Sequence, residues 1–456
     1  MGRIKTAVLL LVAIVAVSSV FCVTPAGAVA VRVRTASDVL LATGVNGSSK
    51  YPALSENGLV AAFYSDADTL VPDAPGFSPG LFLFVFNDSG LSRVASGDDG
   101  SPAGVPDVVD FPWGISMSGE GNLTAFVSHS ASFDENDHNN APDVFVFNRA
   151  SGEVELVSVA LTGESADGHS FAPAASGDGR YVAFMSTAAD IVPGDTNGCT
   201  DIFIRDLENG ATERISMAFD GTEANGHSAG PAISEAGRYV AFSSEASNLV
   251  PDDTTGKRDI FVADCTTGEI IRVSVAGAMV EAADESFPFG VSISGDGTQV
   301  AFLSKAPNLV PGDTNGLWDI FVRDTSLGIT TRGSLGRGNA EPARGASLGS
   351  LSRNGRHLAF ASDADTLVPG DTNHGTDVFV RNLDTGEVER VSVAENGDEV
   401  FCQAMRPAIS ADGSRVAFTA RFVDLATGEP LPLWHVFVRD MQSGWLWLLS
   451  APFASP

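Results

Sequence analysis

Residues 292–324 read SISGDGTQVAFLSKAPNLVPGDTNGLWDIFVRD. Asp296-Gly297 stands between two strand-like runs, and Asp-Gly tolerates the positive φ of a two-residue β-hairpin, so a tight hairpin is predicted there. The second run, through Val300-Ala301-Phe302, leads into a longer loop carrying Leu309-Val310-Pro311. A further strand, Asp319 to Asp324, follows, and the loop brings Asp313, Asn315 and Asp319 close together.

Variants of this stretch recur. The Phe of the Val-Ala-Phe element falls at Phe63, Phe126, Phe184, Phe242, Phe302, Phe360 and Phe418, at gaps of 63, 58, 58, 60, 58 and 58 residues. Each copy carries four strand signals: a short segment ending in Ser, the strand after the turn, the Asp319-type strand, and a fourth after a Thr-Gly or Ser-Gly turn such as Thr385-Gly386. The first turn is Asn57-Gly58, Asp178-Gly179, Asp296-Gly297, Asn354-Gly355 or Asp412-Gly413, and two copies use Glu120-Gly121 and Ala236-Gly237. The strands are apolar almost throughout, which fits sheets covered on both faces. Four-stranded units that need neighbours on both sides are propeller blades, so seven copies predict an all-β, seven-bladed β-propeller of antiparallel blades over residues 31–452. Two segments compete to close the ring, Val31 to Thr35 and Trp445 to Leu449, and the N-terminal one is favoured at the closing blade.

Lys and Arg number 27 against 57 Asp and Glu, a formal charge of −30. Phosphates are repelled by such a surface, which argues against nucleic acid and anionic membranes and is compatible with solubility, cations or a basic partner. Arg3 and Lys5 precede an apolar run from Ala7 to Val17, and small residues follow at Ala26-Gly27-Ala28. That pattern predicts a signal peptide over residues 1–28, removed on export to the envelope or beyond. No later stretch is apolar enough for stable membrane insertion, and a monomer is expected. Cys199, Cys265 and Cys402 remain, in spacings that suggest no disulfide framework.

Pro173-x-x-Ser176-x-Asp178-Gly179-Arg180-Tyr181-Val182-Ala183-Phe184-x-Ser186, then Asp-Ile-Phe-Val-Arg-Asp, Thr-Gly and Arg-Val-Ser, resembles the TolB-type β-propeller repeat. The resemblance covers nearly everything after residue 28 and implies the fold. Such repeats serve envelope scaffolds, peptidase propeller domains and a few lyases. TolB-like proteins of the Tol system carry a separate N-terminal domain and six blades; here the repeats begin almost at once and number seven.

Five loops repeat an acidic pattern: Asp137, Asn139 and Asp143; Asp195, Asn197 and Asp201; Asp253, Thr255 and Asp259; Asp313, Asn315 and Asp319; Asp371, Asn373 and Asp377. Calcium takes six to eight oxygens on a flexible loop, and spaced Asp and Asn supply several. The pattern is similar to the cation loops of integrin-type propellers, without their first Asp. The competing expectation is a brace, in which these side chains hold nearby backbone amides without metal. Both readings place the loops on one rim, where blade-to-blade connections also lie.

His169 and His227 occupy equivalent positions in adjacent copies, and two His with a carboxylate can hold a catalytic metal, as in some seven-bladed lyases of polyuronic acids. Arg205, Arg323, Arg381 and Arg439, inside strands, are expected to pair with Asp of the same or next blade. The expected function is an exported, non-enzymatic binding or scaffold propeller that presents an acidic loop face to a protein or cell-envelope component. The alternative is a metal-dependent glycan lyase or hydrolase centred on the axis.

Overall fold

The computed structural model describes residues 30–35, 45–67, 69–71, 80–87, 90–94, 114–131, 133–424, 427 and 429–451. The signal-peptide expectation for residues 1–28 falls outside them. Among the described residues no helix is long and apolar enough to cross a membrane.

Seven antiparallel sheets follow one another along the chain, each in the order inner strand to outer strand. The inner strands are Ser49–Leu54, Ile115–Met117, Ser170–Ala175, Ser228–Ile233, Ser292–Ile293, Ala346–Leu351 and Phe401–Ile409. They define blades one to seven, and the seven-bladed propeller expectation holds.

The two middle strands of each blade explain why the sheets stack. Phe184 lies opposite Phe203 in register, and all seven blades repeat this pair with ring centroids 5.5–6.0 Å apart. Side chains alternate along a strand, so Ala183, Met185, Ile202 and Ile204 cover the other face. That smaller face receives the Phe242–Phe261 pair of blade four in one buried cluster. Large rings on one blade thus fill the space over small and branched residues on the preceding blade, and each buried Phe contributes about 2 kcal/mol. Ala417, Val436 and Val438 of blade seven meet Phe63 and Phe82 of blade one in the same way, which closes the ring by packing.

Both terminal segments enter blade seven. Leu446–Leu448 is its fourth strand, and Val31–Arg32 adds a fifth outside it, pairing Val31 with Leu448 and Arg32 with Trp447. The N-terminal segment therefore extends a complete blade instead of completing a three-stranded one.

The predicted first hairpin forms in all seven blades, but not as a two-residue turn. Ser176 N–H donates to Tyr181 O across four intervening residues, and Gly179 N–H donates back to Ser176 O. Only the glycines, Gly58, Gly121, Gly179, Gly237, Gly297, Gly355 and Gly413, take positive φ, 66–80°. Asp178 Oδ1 instead accepts the Ser176 hydroxyl and the Arg180 amide, which is why Ser and Asp repeat at this turn.

Candidate functional site: charge-filled rim loops and an axial funnel

The acidic loops join the second strand of a blade to its third, and the Asp that opens the third strand is buried. In blade five Asp319 is fully buried, and Ser334 Oγ donates to its Oδ1 at 2.5 Å while accepting the Ile320 amide at 3.0 Å. Asn315 Nδ2 donates to Asp319 Oδ2 at 3.2 Å. The structure thus brings together the three residues that the sequence singled out.

It also brings in two residues that the sequence reading missed. Arg332 sits on the outer strand opposite Phe321, and its Nη1 lies 3.1 Å from Asp313, 3.1 Å from Asp319 and 2.9 Å from Glu341. Nη2 reaches Gly312 O at 3.4 Å. One guanidinium nitrogen stands among three carboxylates, so the positive charge in this loop is the protein's own. Glu341 comes from the connection to the next blade. Its carboxylate accepts the Thr314 amide and hydroxyl at 2.9 and 2.7 Å, and these bonds followed by Arg332 hold its pKa down at about 2. Burial raises that of Asp313, against the opposing pull of Arg332.

Three more blades repeat the arrangement. Arg390 Nη1 lies 2.8 Å from Asp371, 2.6 Å from Glu399 and 3.6 Å from Asp377. Arg214 Nη1 lies 3.0 Å from Asp195, 3.0 Å from Glu223 and 3.5 Å from Asp201. Asn197 and Asn373 donate to Asp201 and Asp377, each at 2.9 Å. In blade four Arg272 bonds closely to Glu281 but stays 3.5 Å from Asp253 and 3.6 Å from Asp259, and Thr255 replaces the Asn. There Asp253 Oδ1 and Asp259 Oδ2 lack hydrogen-bond partners. Burial pushes Asp259 and Asp377 up to about 6 despite the nearby guanidinium.

The Arg was legible as a spacing. It stands 13 residues after the strand-opening Asp in all four blades, in the Arg-Val-Ser-like segment of the repeat, and the Glu stands 27 residues after the loop Thr. The Thr-to-Glu bonds tie each loop to the following connection, which confirms that the two share a rim.

The remaining blades depart in different ways. Blade one keeps Arg93, which lies against Gly80 at the Asp position. Blade seven has His435 in place of Asp and Leu448 in place of Arg. His435 is buried against Phe422 and Phe437, and burial pushes its imidazole down to about 4. Blade two keeps Asp137, Asn139 and Asp143, but Leu156 stands in the Arg position and Ser165 in the Glu position.

The strand arginines do not pair with Asp. Arg381 Nη1 donates to Leu335 O and Arg439 Nη1 to Val393 O, both at 2.8 Å, in connections from the preceding blade. Arg205 bonds Gly210 O at 2.7 Å, and Arg323 bonds Thr330 Oγ1 at 3.0 Å. Successive strand residues face opposite ways, so Arg205 cannot share a face with Asp206, which instead takes Arg180 at 2.6 Å.

Along the axis the inner strands enclose a cavity of about 310 Å³, and half of its lining residues are Ala, Pro or Gly. Arg353 of blade six reaches across it, 2.5 Å from Glu56 of blade one and 3.4 Å from Ala175 O of blade three. Tyr51, Ala172 and Arg406 each precede a proline at φ 58°, 50° and 58°, left-handed bulges in the inner strands. His169 and His227 are exposed at the connection-loop end; His227 Nδ1 accepts the Thr200 amide at 2.9 Å, and His169 stacks on Phe171. Among the described residues no group of three His, Cys, Asp or Glu is placed to hold a metal ion. Cys199 and Cys265 are free thiols.

No family model and no curated protein matches this chain. Solved propellers do match in fold. An oligogalacturonate lyase from Vibrio parahaemolyticus aligns at 12% identity and TM-score 0.52 over 89% of this chain and 91% of that one. A puromycin-hydrolyzing peptidase from Mycobacterium tuberculosis aligns at 14% identity and TM-score 0.54, covering 95% of this chain and 57% of the peptidase. TolB from Acinetobacter baumannii aligns at 15% identity and TM-score 0.40, over 91% and 82%. At these identities the likeness to the lyase and the peptidase is one of fold alone.

Proposed function

We propose that this protein is an exported binding propeller, a scaffold and not an enzyme, whose connection-loop rim holds a protein or cell-envelope partner. One observation carries this reading. The connections form small hairpins at successive blade junctions, and the tips expose Leu161 (63%), Phe219 (61%) and Met279 (58%), with Val280 beside Met279. Large apolar side chains held out in series are the anchors that protein interfaces bury. The tips are held in place: Leu161 N–H donates to Asp190 O and Phe219 N–H to Asn248 O of the following blade. The Arg-centred clusters below the Phe219 and Met279 tips tie loop to connection, so little ordering entropy is lost there on binding. The surrounding charge of −30 favours a partner with a basic rim around its apolar contact.

The test is capture from the envelope fraction of the producing cell by the immobilised mature protein. A partner retained by the wild type should be lost by Leu161→Ser/Phe219→Ser/Met279→Ser at unchanged melting temperature. Equal capture by both proteins would refute the tips as the contact.

A further inference from the structure

Blade two is the anomaly among the five acidic loops. Asp137 is 3% exposed and Asp143 fully buried, as in the sibling blades. Asp143 is satisfied by neighbours: Ser158 Oγ donates to Oδ1 at 2.5 Å and Asn139 Nδ2 to Oδ2 at 2.7 Å. Asp137 is not. Both of its carboxylate oxygens are buried and neither accepts a hydrogen bond of normal geometry, though the Asn139 amide and the Ser165 hydroxyl lie beside it. A buried carboxylate without a partner is costly, and one cation would relieve it.

In blades three to six that cation is a guanidinium nitrogen, 2.8–3.5 Å from the residue equivalent to Asp137. In blade two the equivalent residue, Leu156, is turned into the apolar core with Phe126 and Phe145 and brings no charge. The third carboxylate is missing as well, since Ser165 replaces Glu and its hydroxyl takes the His138 amide at 3.0 Å. What remains for a cation is an Asp pair, the Ser165 hydroxyl and the Asn136 carbonyl, which matches the Gly312 carbonyl that faces Arg332, while Asn139 only braces, donating Nδ2 to Asp143 and accepting the Ala141 amide on Oδ1. Every donor atom is oxygen, which suits a hard cation and not zinc.

We propose that the blade-two loop binds one calcium-class divalent cation through Asp137 and Asp143, in the place that an arginine fills in its siblings. Two carboxylates with neutral oxygens and water make a weak site. Magnesium, which demands a tight octahedral shell, binds less well. Leu161 stands on the same connection as Ser158 and Ser165 but supplies no oxygen to the site, so either proposal can fail alone.

The experiment uses the mature chain, stripped with chelator and titrated calorimetrically with calcium chloride, magnesium chloride or excess sodium chloride alone. The expected result is one calcium per chain, with a rise in melting temperature of about 3 °C at a hundredfold excess over Kd. Asp137→Asn should abolish binding. Leu156→Arg/Ser165→Glu, which rebuilds the internal cation and its third carboxylate, should also abolish it while melting no lower than the calcium-loaded wild type. Absence of calcium binding to the wild type would overturn the proposal, whatever the stability of Asp137→Asn. Calcium binding that survives either variant would overturn it as well.

Discussion

Blades two and five are built on the same repeat and bury the same two aspartates, yet they balance the charge differently. Blade five supplies Arg332 from its outer strand and Glu341 from the connection, and one nitrogen contacts three carboxylates. Blade two has exchanged both, for Leu156 and Ser165, and leaves Asp137 without a hydrogen-bonded partner. The joint exchange is physically telling. Loss of Arg alone would strand three carboxylates, whereas loss of the Arg–Glu pair strands one fewer. A repeat protein can therefore drift at this site only by changing partners together.

The strongest way to break the comparison is to turn blade five into an incomplete blade two. Arg332→Leu should cost about 3–5 kcal/mol, because it leaves carboxylates buried and unpaired. Adding Glu341→Ser should recover part of that loss. Urea unfolding of the wild type and both variants checks the order, and a double variant no better than the single would show that Glu341 is not coupled to Arg332.

Blade seven extends the comparison to a third solution, a neutral imidazole. The folded-state pKa of His435 is near 4, below the ordinary value of 6.5, so the unfolded chain binds more protons between those limits. Its contribution is complete above pH 6.5 and is lost as pH falls toward 4, by about 3 kcal/mol in all. Asp259 and Asp377, raised by burial to about 6, act with the opposite sign. The measurement is therefore the difference in urea midpoint between wild type and His435→Asn from pH 7 to pH 4. A gap that does not narrow as pH falls would contradict this account.

The smallest effects separate blade four from blade five. Asn315→Ala removes the donor to Asp319 and should cost about 1 kcal/mol. Thr255→Asn, which restores the missing donor beside Asp259, should gain about 0.5–1 kcal/mol, read as a higher melting temperature. Loss of stability in that variant would mean that the looser blade-four cluster has no room for the amide.

The fold was legible because seven copies of Val-Ala-Phe at nearly constant spacing leave few alternatives to a ring of equal sheets. Turn chemistry was legible in kind but not in form. The repeated Ser marks a four-residue loop that its hydroxyl helps to close, and the Asp-Gly pair alone pointed to a shorter turn. The acidic loops were found as residues and half-read as chemistry. Asp313, Asn315 and Asp319 lie together within seven residues of chain, while their counter-charge comes from Arg332, beyond a strand and a turn, and Glu341, beyond a connection.

The sequence by itself determined the number of blades, the place of the first hairpin in each and the Val-Ala-Phe position that one buried Phe per blade occupies, because these follow from local periodicity and turn preference repeated along the chain. Tertiary structure alone decided where charge is neutralised, how both termini share one blade, and which apolar residues remain outside. Those outcomes depend on groups distant in sequence meeting in space. A carboxylate's partner is set by which side chain the neighbouring strand aims at it, and local pattern carries no record of that aim.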